Sequence, residues 1–220
     1  MANILLGVTG SVAAIKTPEL FNELRQRGHA VRVVATKAST YFFDPAALSP
    51  LPGGKRNPAV VSLDEDEWQG AGAGSRYGRG DEVLHIELRR WAELLLIAPL
   101  DANTLAKLVA GLCDNCLTCV WRAWEPARPV VLAPAMNTLM WQHPLTRRHL
   151  RALAADAGVG DLPAHLDEDE LLPQINKRSP TLRIVPPVSK ALACGDVGVG
   201  AMAAPGEIVA SVEKLLSPRG

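Results

Sequence analysis

The chain has no excess of charge of either sign. Lys+Arg and Asp+Glu number 23 each, for a formal net charge of zero. A balanced chain lacks the basic footprint of a protein that wraps nucleic acid or lies on an acidic membrane. No apolar run approaches the roughly 20 residues of a membrane span. Only four cysteines occur in 220 residues, too few for a disulfide scaffold. The start, Met1-Ala2-Asn3-Ile4, enters a strand-like run without the basic, apolar and cleavage segments of a signal peptide. These absences predict free thiols and a cytoplasmic location. Two phosphate-binding signatures are missing as well, the G-x-G-x-x-G pattern and a Walker lysine.

What is present is ordinary globular material, 48% apolar and 21% charged. A chain of this length buries roughly 70% of the surface it exposes when unfolded, so one domain over 1–220 needs no staple. Ile4–Val8 reads as a strand, followed by Thr9-Gly10-Ser11 and a helix striped by Ile15, Leu20, Phe21 and Leu24 with Gly28 as its stop. Pro18 either opens a second helix capped by Thr17 or kinks the first. Ala30–Ala35 completes a βαβ beginning. The alternation recurs. Strands are expected at Leu94–Ala98, Val130–Ala133 and Leu182–Val185. Helices are expected at Asp101–Ala110, Asn115–Ala123, Pro144–Ala157 and Pro205–Leu216. Strands apolar on both faces belong to a parallel sheet between helix layers, so the fold class is an α/β three-layer sandwich of Rossmann or flavodoxin type. Ser49–Gly80 and Gly158–Pro180, rich in Gly, Pro or acidic residues, read as surface excursions or partly disordered loops.

Candidate chemistry gathers where strand ends meet polar turns, because ligands of open parallel sheets bind at the strands' carboxyl edge. Gly7-Val8-Thr9-Gly10-Ser11 reads either as a phosphate cradle or as a tight turn with Ser11 as N-cap. Thr36-Lys37-Ala38-Ser39 is a second hydroxyl-bearing turn, and two such turns on one edge favour a mononucleotide phosphate. Cys113, Cys116 and Cys119 suggest a metal site on paper. If all three sit on one straight helix, their thiolates cannot converge on one ion, so they read as buried apolar residues and no metal is expected. His85 is a structural histidine or a base near the turn from Ala98 to Thr104. Asn137, in Pro134-Ala135-Met136-Asn137, either caps a helix or holds a carboxylate or amide. Ala193-Cys194-Gly195-Asp196-Val197-Gly198-Val199-Gly200 is a plain turn or a mobile flap.

As a set these segments resemble the flavin-dependent cysteine decarboxylase family. The resemblance rests on Gly10-Ser11-Val12-Ala13-Ala14, Asp66-Glu67-Trp68, Leu84 to Trp91, Ala98 to Leu105, Pro134 to Trp141 and Ala193 to Met202. It implies FMN as cofactor and a homotrimer, or a larger assembly of trimers, with the site between subunits. It implies decarboxylation of phosphopantothenoylcysteine as small-molecule substrate, with no nucleic acid or membrane partner. Position by position it places Gly10, Ser11, Val12, Thr36, Ser39, Asp101, Ala102, Asn103, Thr104, Ala135 and Met136 around FMN. It makes His85 catalytic, Cys194 the proton donor and Asn137 the holder of the substrate carboxylate, with Met140, Ala193 and Gly195 beside the substrate. Arg90 is a candidate for an anionic group of the substrate on charge alone. The chain departs from the family's pattern at Val159–Pro180 and near Gly70–Gly80. A flavin prenyltransferase and a flavin-binding regulatory subunit of a phosphatase are the competing readings. The motifs around Asn137 and Cys194 favour the decarboxylase.

Overall fold

The computed structural model describes residues 1–68, 76, 78–191 and 197–217. Its strands are β1 (Asn3–Val8), β2 (Ala30–Ala35), β3 (Val61–Leu63), β4 (Leu94–Leu100), β5 (Val130–Pro134), β6 (Leu182–Ile184), β7 (Val188–Ala191) and β8 (Val197–Ala201). Its α-helices are α1 (Thr17–Gln26), α2 (Leu84–Trp91), α3 (Ala102–Ala110), α4 (Cys116–Arg122), α5 (Thr138–Trp141), α6 (Pro144–Asp156), α7 (Glu168–Arg178) and α8 (Pro205–Leu216). Six strands form a sheet in the order β3-β2-β1-β4-β5-β6, with all pairs parallel. That is the doubly wound order of the Rossmann fold, which reverses direction between β1 and β4. The expected α/β sandwich is what the chain adopts.

The strands are buried on both faces because apolar residues fill both sides of the pleat. Ile4, Leu6, Val8, Leu94, Leu96 and Val131 pack under α1 and α8 through Leu20, Leu24, Ile208 and Val212. Leu5, Leu95, Ile97 and Leu132 face the opposite layer, where Leu88, Leu105, Leu117, Leu150 and Leu171 cover them. Gly7 lets α4 approach β1 closely, since a Cβ there would meet Leu117 Cδ1 at 2.7 Å.

Helix starts follow local chemistry. Asp101 caps α3 by accepting from Thr104 N at 2.6 Å, and Asn115 caps α4 from Thr118 N at 2.9 Å. Pro18 lies in the first turn of α1, where its missing N–H costs nothing, so the chain opens a new helix there. A separate 3₁₀ turn over Val12–Lys16 precedes it, capped by Ser11. Ile15 lies on that turn and is 57% exposed, so it does not belong to the buried stripe.

Both expected excursions contain structure. Ser49–Gly80 includes β3 on the sheet edge, pinned by Arg56, which donates to Asp66 Oδ2 at 2.6 Å, Oδ1 at 2.8 Å and the Val61 carbonyl. Gly158–Pro180 includes α7. Its acidic run is a helix start rather than a solvated loop. Asp167 and Glu170 form a capping box, and Glu168, Asp169 and Glu170 meet the positive end of the helix dipole. Leu171, Leu172 and Ile175 are buried. Asn176 then clasps the sheet edge, donating to the Ile184 carbonyl at 2.8 Å and accepting from Ile184 N at 2.7 Å.

Cys113 lies ahead of α4, while Cys116 and Cys119 lie on it. The three thiols therefore do not share one helix as expected. No cluster of metal-ligating side chains occurs among the described residues. Among those residues no helix is long and apolar enough to cross a membrane.

Leu171→Ala tests whether α7 belongs to the core. The loss expected is about 2–5 kcal/mol of unfolding free energy, read by urea titration. A change below about 0.5 kcal/mol, the level of an exposed site, would show that the segment is peripheral.

Candidate functional site

The reversal between β1 and β4 leaves a crevice at the sheet's carboxyl edge, and Thr9 ties its two sides together. The Thr9 side chain is fully buried. Its hydroxyl donates to the Pro99 carbonyl at 2.8 Å and accepts from Asp101 N at 2.8 Å. Next to it Gly10 packs the turn after β1 onto the turn after β2, because a Cβ there would sit 2.6 Å from Ala38 Cβ. Thr36 is buried, and its Oγ1 has no hydrogen-bond partner. Ser39 is buried too, but its hydroxyl donates to the Thr36 carbonyl at 2.7 Å and its N–H to the same oxygen at 2.9 Å. In the run after β4, Asp101 is occupied as a cap, Thr104 is buried, Ala102 is half-buried and Asn103 is exposed.

A cavity of about 600 Å³ opens on this edge. Its walls include Ser11, Val12, Ala135, Met136, Asn137 and Met202. Its size is that of a small-ligand site. The start of α8 also borders it, and no side chain caps that helix. An apolar wall beside an uncapped helix start suits a ligand that is part flat ring and part anion. The unpartnered Thr36 hydroxyl on the same edge adds a donor. Five of the expected residues therefore line the cavity, namely Ser11, Val12, Ala135, Met136 and Asn137. Gly10, Thr36, Ser39 and Asp101–Thr104 build the adjoining turns instead.

Asn137 is the expected helix cap and also lies on the cavity wall. Its Oδ1 accepts from Leu139 N at 2.8 Å and starts α5, while the residue also lines the cavity. Met140 is 52% exposed rather than in the core, whereas Trp141 is buried. The β7–β8 ribbon crosses this turn at backbone contact. Met136 N donates to the Gly200 carbonyl at 2.9 Å. At Gly200 the backbone has φ +148°, and a Cβ there would lie 2.2 Å from the Met136 carbonyl oxygen. The glycine pattern thus serves close approach as well as turning. Ala193, Cys194 and Gly195, between the two strands, lie outside the described residues.

His85 stands apart from the cavity lining, in the first turn of α2. Its Nδ1 lies 2.5 Å from Glu67 Oε1. Cys116 lies against the same carboxylate, and Asp64 accepts from the Cys116 N–H at 3.3 Å. Burial, with Glu67 second, pushes the Cys116 thiol well up, so it stays protonated at neutral pH. Burial also raises Asp64, against backbone N–H bonds from Lys37 and Cys116 that lower it. Sequence reading missed Glu67 as a partner because the contact joins residues 18 apart through the tertiary fold. Arg90 points to Glu87 at 3.0 Å, with its side chain 65% exposed and away from the cavity walls.

Sheet order, switch-point crevice and cavity together define a doubly wound α/β protein built to hold a nucleotide-like cofactor. The family model described as Flavoprotein matches residues 1–217, and the chain belongs to that family. It is 43% identical over 218 residues to mouse phosphopantothenoylcysteine decarboxylase, an alignment covering 99% of this chain and 88% of the relative. A PPC decarboxylase mutant complexed with pantothenoylaminoethenethiol superposes with a TM-score of 0.72 at 44% identity, covering 97% of both chains. An FMN binding protein superposes with a TM-score of 0.70 at 44% identity, covering 98% of this chain and 96% of that one.

Thr9→Val removes the tie across the crevice and leaves the Asp101 N–H without its partner. The expected cost is about 1–3 kcal/mol in denaturant unfolding, together with weaker flavin retention on dilution. Wild-type stability and retention would show that the tie is dispensable.

Proposed function

We propose that this chain decarboxylates 4′-phosphopantothenoylcysteine to 4′-phosphopantetheine, a step of coenzyme A biosynthesis, using bound FMN. The observation that carries the reading is Asn137 on a cavity at the switch-point edge, in a flavoprotein chain so close over its length to a phosphopantothenoylcysteine decarboxylase. Ser11, Val12, Ala135 and Met136 would hold the cofactor from the cavity wall, with Gly10, Thr36, Ser39 and Asp101–Thr104 shaping the turns around it. FMN supplies a reversible two-electron acceptor, which the substrate needs because a simple cysteine carboxylate leaves a carbanion with no electron sink.

The chain's own residues then divide the remaining work. Asn137 orients the carboxylate by its amide, already fixed at the start of α5. His85 takes the proton of the reacting thiol as general base. Carbon dioxide leaves the substrate's Cα, next to the oxidised thiol carbon that takes up the charge, and an ene-thiolate remains on the substrate. Cys194 delivers the last proton as the substrate is reduced again, so the cycle has no net redox change. Met140, exposed beside Asn137, together with Ala193 and Gly195, would contact substrate. Arg90 would need to leave Glu87 to meet an anion and is the weakest assignment.

The working assembly in this reading is a homotrimer with the site between subunits. Two features support it. His85 does not line the cavity that Asn137 lines, and a second copy would bring the pair together. Val12, Ile15, Leu139 and Met140 are also exposed around that cavity, an apolar surface suited to a neighbouring copy. A cytoplasmic location belongs to the same proposal, in keeping with three unpaired thiols among the described cysteines. Fractionation that placed the chain in a secreted or membrane fraction would overturn it.

Two outcomes test this reading. Cys194→Ser is expected to release CO₂ at near wild-type rate while accumulating the ene-thiol. Normal phosphopantetheine output from that variant would remove Cys194 from the mechanism. His85→Asn and Asn137→Ala are each expected to be inactive as pure assemblies. Mixed by dissociation and reassociation, they should regain a fraction of wild-type turnover, since some sites then pair one intact half from each copy. Persistent inactivity of a verified mixed assembly would place both residues in one subunit's site.

A further inference from the structure

We propose that Glu67 is the positioning residue of His85, holding the imidazole in the tautomer that keeps Nε2 basic. The inference rests on His85 acting as general base in the reading above. Glu67 follows β3, and His85 opens α2, so their meeting is made by the fold rather than by a local turn. Glu67 is 6% exposed, and its Oε1 lies 2.5 Å from His85 Nδ1. An ionised carboxylate only accepts, so the ring nitrogen facing it carries the hydrogen. The other nitrogen, Nε2, makes no hydrogen bond with the described residues, and the ring keeps 19% of its surface exposed. A base needs one nitrogen fixed and the other open, which is what this pair provides.

The surroundings make His85 the main polar contact of the Glu67 carboxylate. Its Oε2 is buried without a hydrogen-bond partner. Cys116, kept as a neutral thiol at the start of α4, lies against the same carboxylate, and Asp64 accepts from the Cys116 N–H at 3.3 Å. A thiol is only a weak donor, so the imidazole is the carboxylate's one strong partner among the described residues. A carboxylate buried this deeply costs stability unless the imidazole faces it, which ties its role to His85.

The test compares variants of the flavin-loaded enzyme and reads the ring itself. In wild-type protein, ¹⁵N spectra of His85 at a pH where the ring is neutral should show Nδ1 protonated and Nε2 bare. The opposite tautomer overturns the proposal without any variant. Glu67→Gln presents an amide N–H as well as an oxygen, so it permits the wrong tautomer. A kcat lower by about 10–100-fold is expected, with KM within twofold, flavin content unchanged and Tm unchanged or raised. The ¹⁵N signature should shift toward Nε2–H. A kcat within twofold of wild type, beside an inactive His85→Asn, overturns the positioning role and leaves the base intact. A lower kcat with lowered Tm and an unchanged tautomer also overturns it, since a merely structural role would do that. Full activity of His85→Asn would instead overturn the reading on which the pair depends.

Discussion

The structure hangs on the reversal of strand order between β1 and β4, and on the buried Thr9 hydroxyl that bridges it. β1 and β4 are central and, past Asn3, apolar or glycine, so the backbone groups up to Ile97 pair along the ladder. Past their ends the ladder stops, and the turns need other partners. Thr9 provides them, bonding Pro99 on one side and Asp101 on the other. Asp101 in turn caps α3. One hydroxyl thereby couples the turn after β1, the turn after β4 and the start of a helix. Gly10 adds the turn after β2 by allowing contact that any side chain would block. The cofactor edge is therefore rigid where the sheet is rigid, and it needs no metal or disulfide to be so.

On that edge two functional halves are kept apart. One is the cavity with Asn137, roofed by the glycine-bearing ribbon that passes within backbone contact of Met136. The other is the Glu67–His85 pair, beside the start of α4. In the proposed reaction the first half would hold the carboxylate and the second would supply the base. In the proposed assembly the apolar rim of the cavity is where another copy would bring the second half. Burial of that rim and completion of the site would be the same event.

Much of the fold is legible in the residues. The central strands are unbroken apolar runs with glycine or hydroxyl turns after them, and α8 has proline at its start and an amphipathic stripe. The parts that escape reading have physical reasons. β3 is three residues long and gains its place only by pairing with β2. α7 hides behind an acidic run and Pro173, features that describe a loop until the capping box and the burial of Leu171 are seen. Cys113 drops off the helix because Asn115 starts it two residues later. At the site, Asn137 and the turn after β1 stand out by position after strands. Glu67 is visible only as part of Asp66-Glu67-Trp68, and its pairing with His85 depends on how β3 and α2 pack.

The most direct test of the account is anaerobic incubation of the purified protein with phosphopantothenoylcysteine, with product identified by mass and the flavin followed by absorbance. The account predicts a yellow protein that yields 4′-phosphopantetheine and CO₂ in equal amounts and returns to its oxidised spectrum. A yellow protein that bleaches and stops at the ene-thiol, or a colourless protein that leaves the substrate intact, would contradict it.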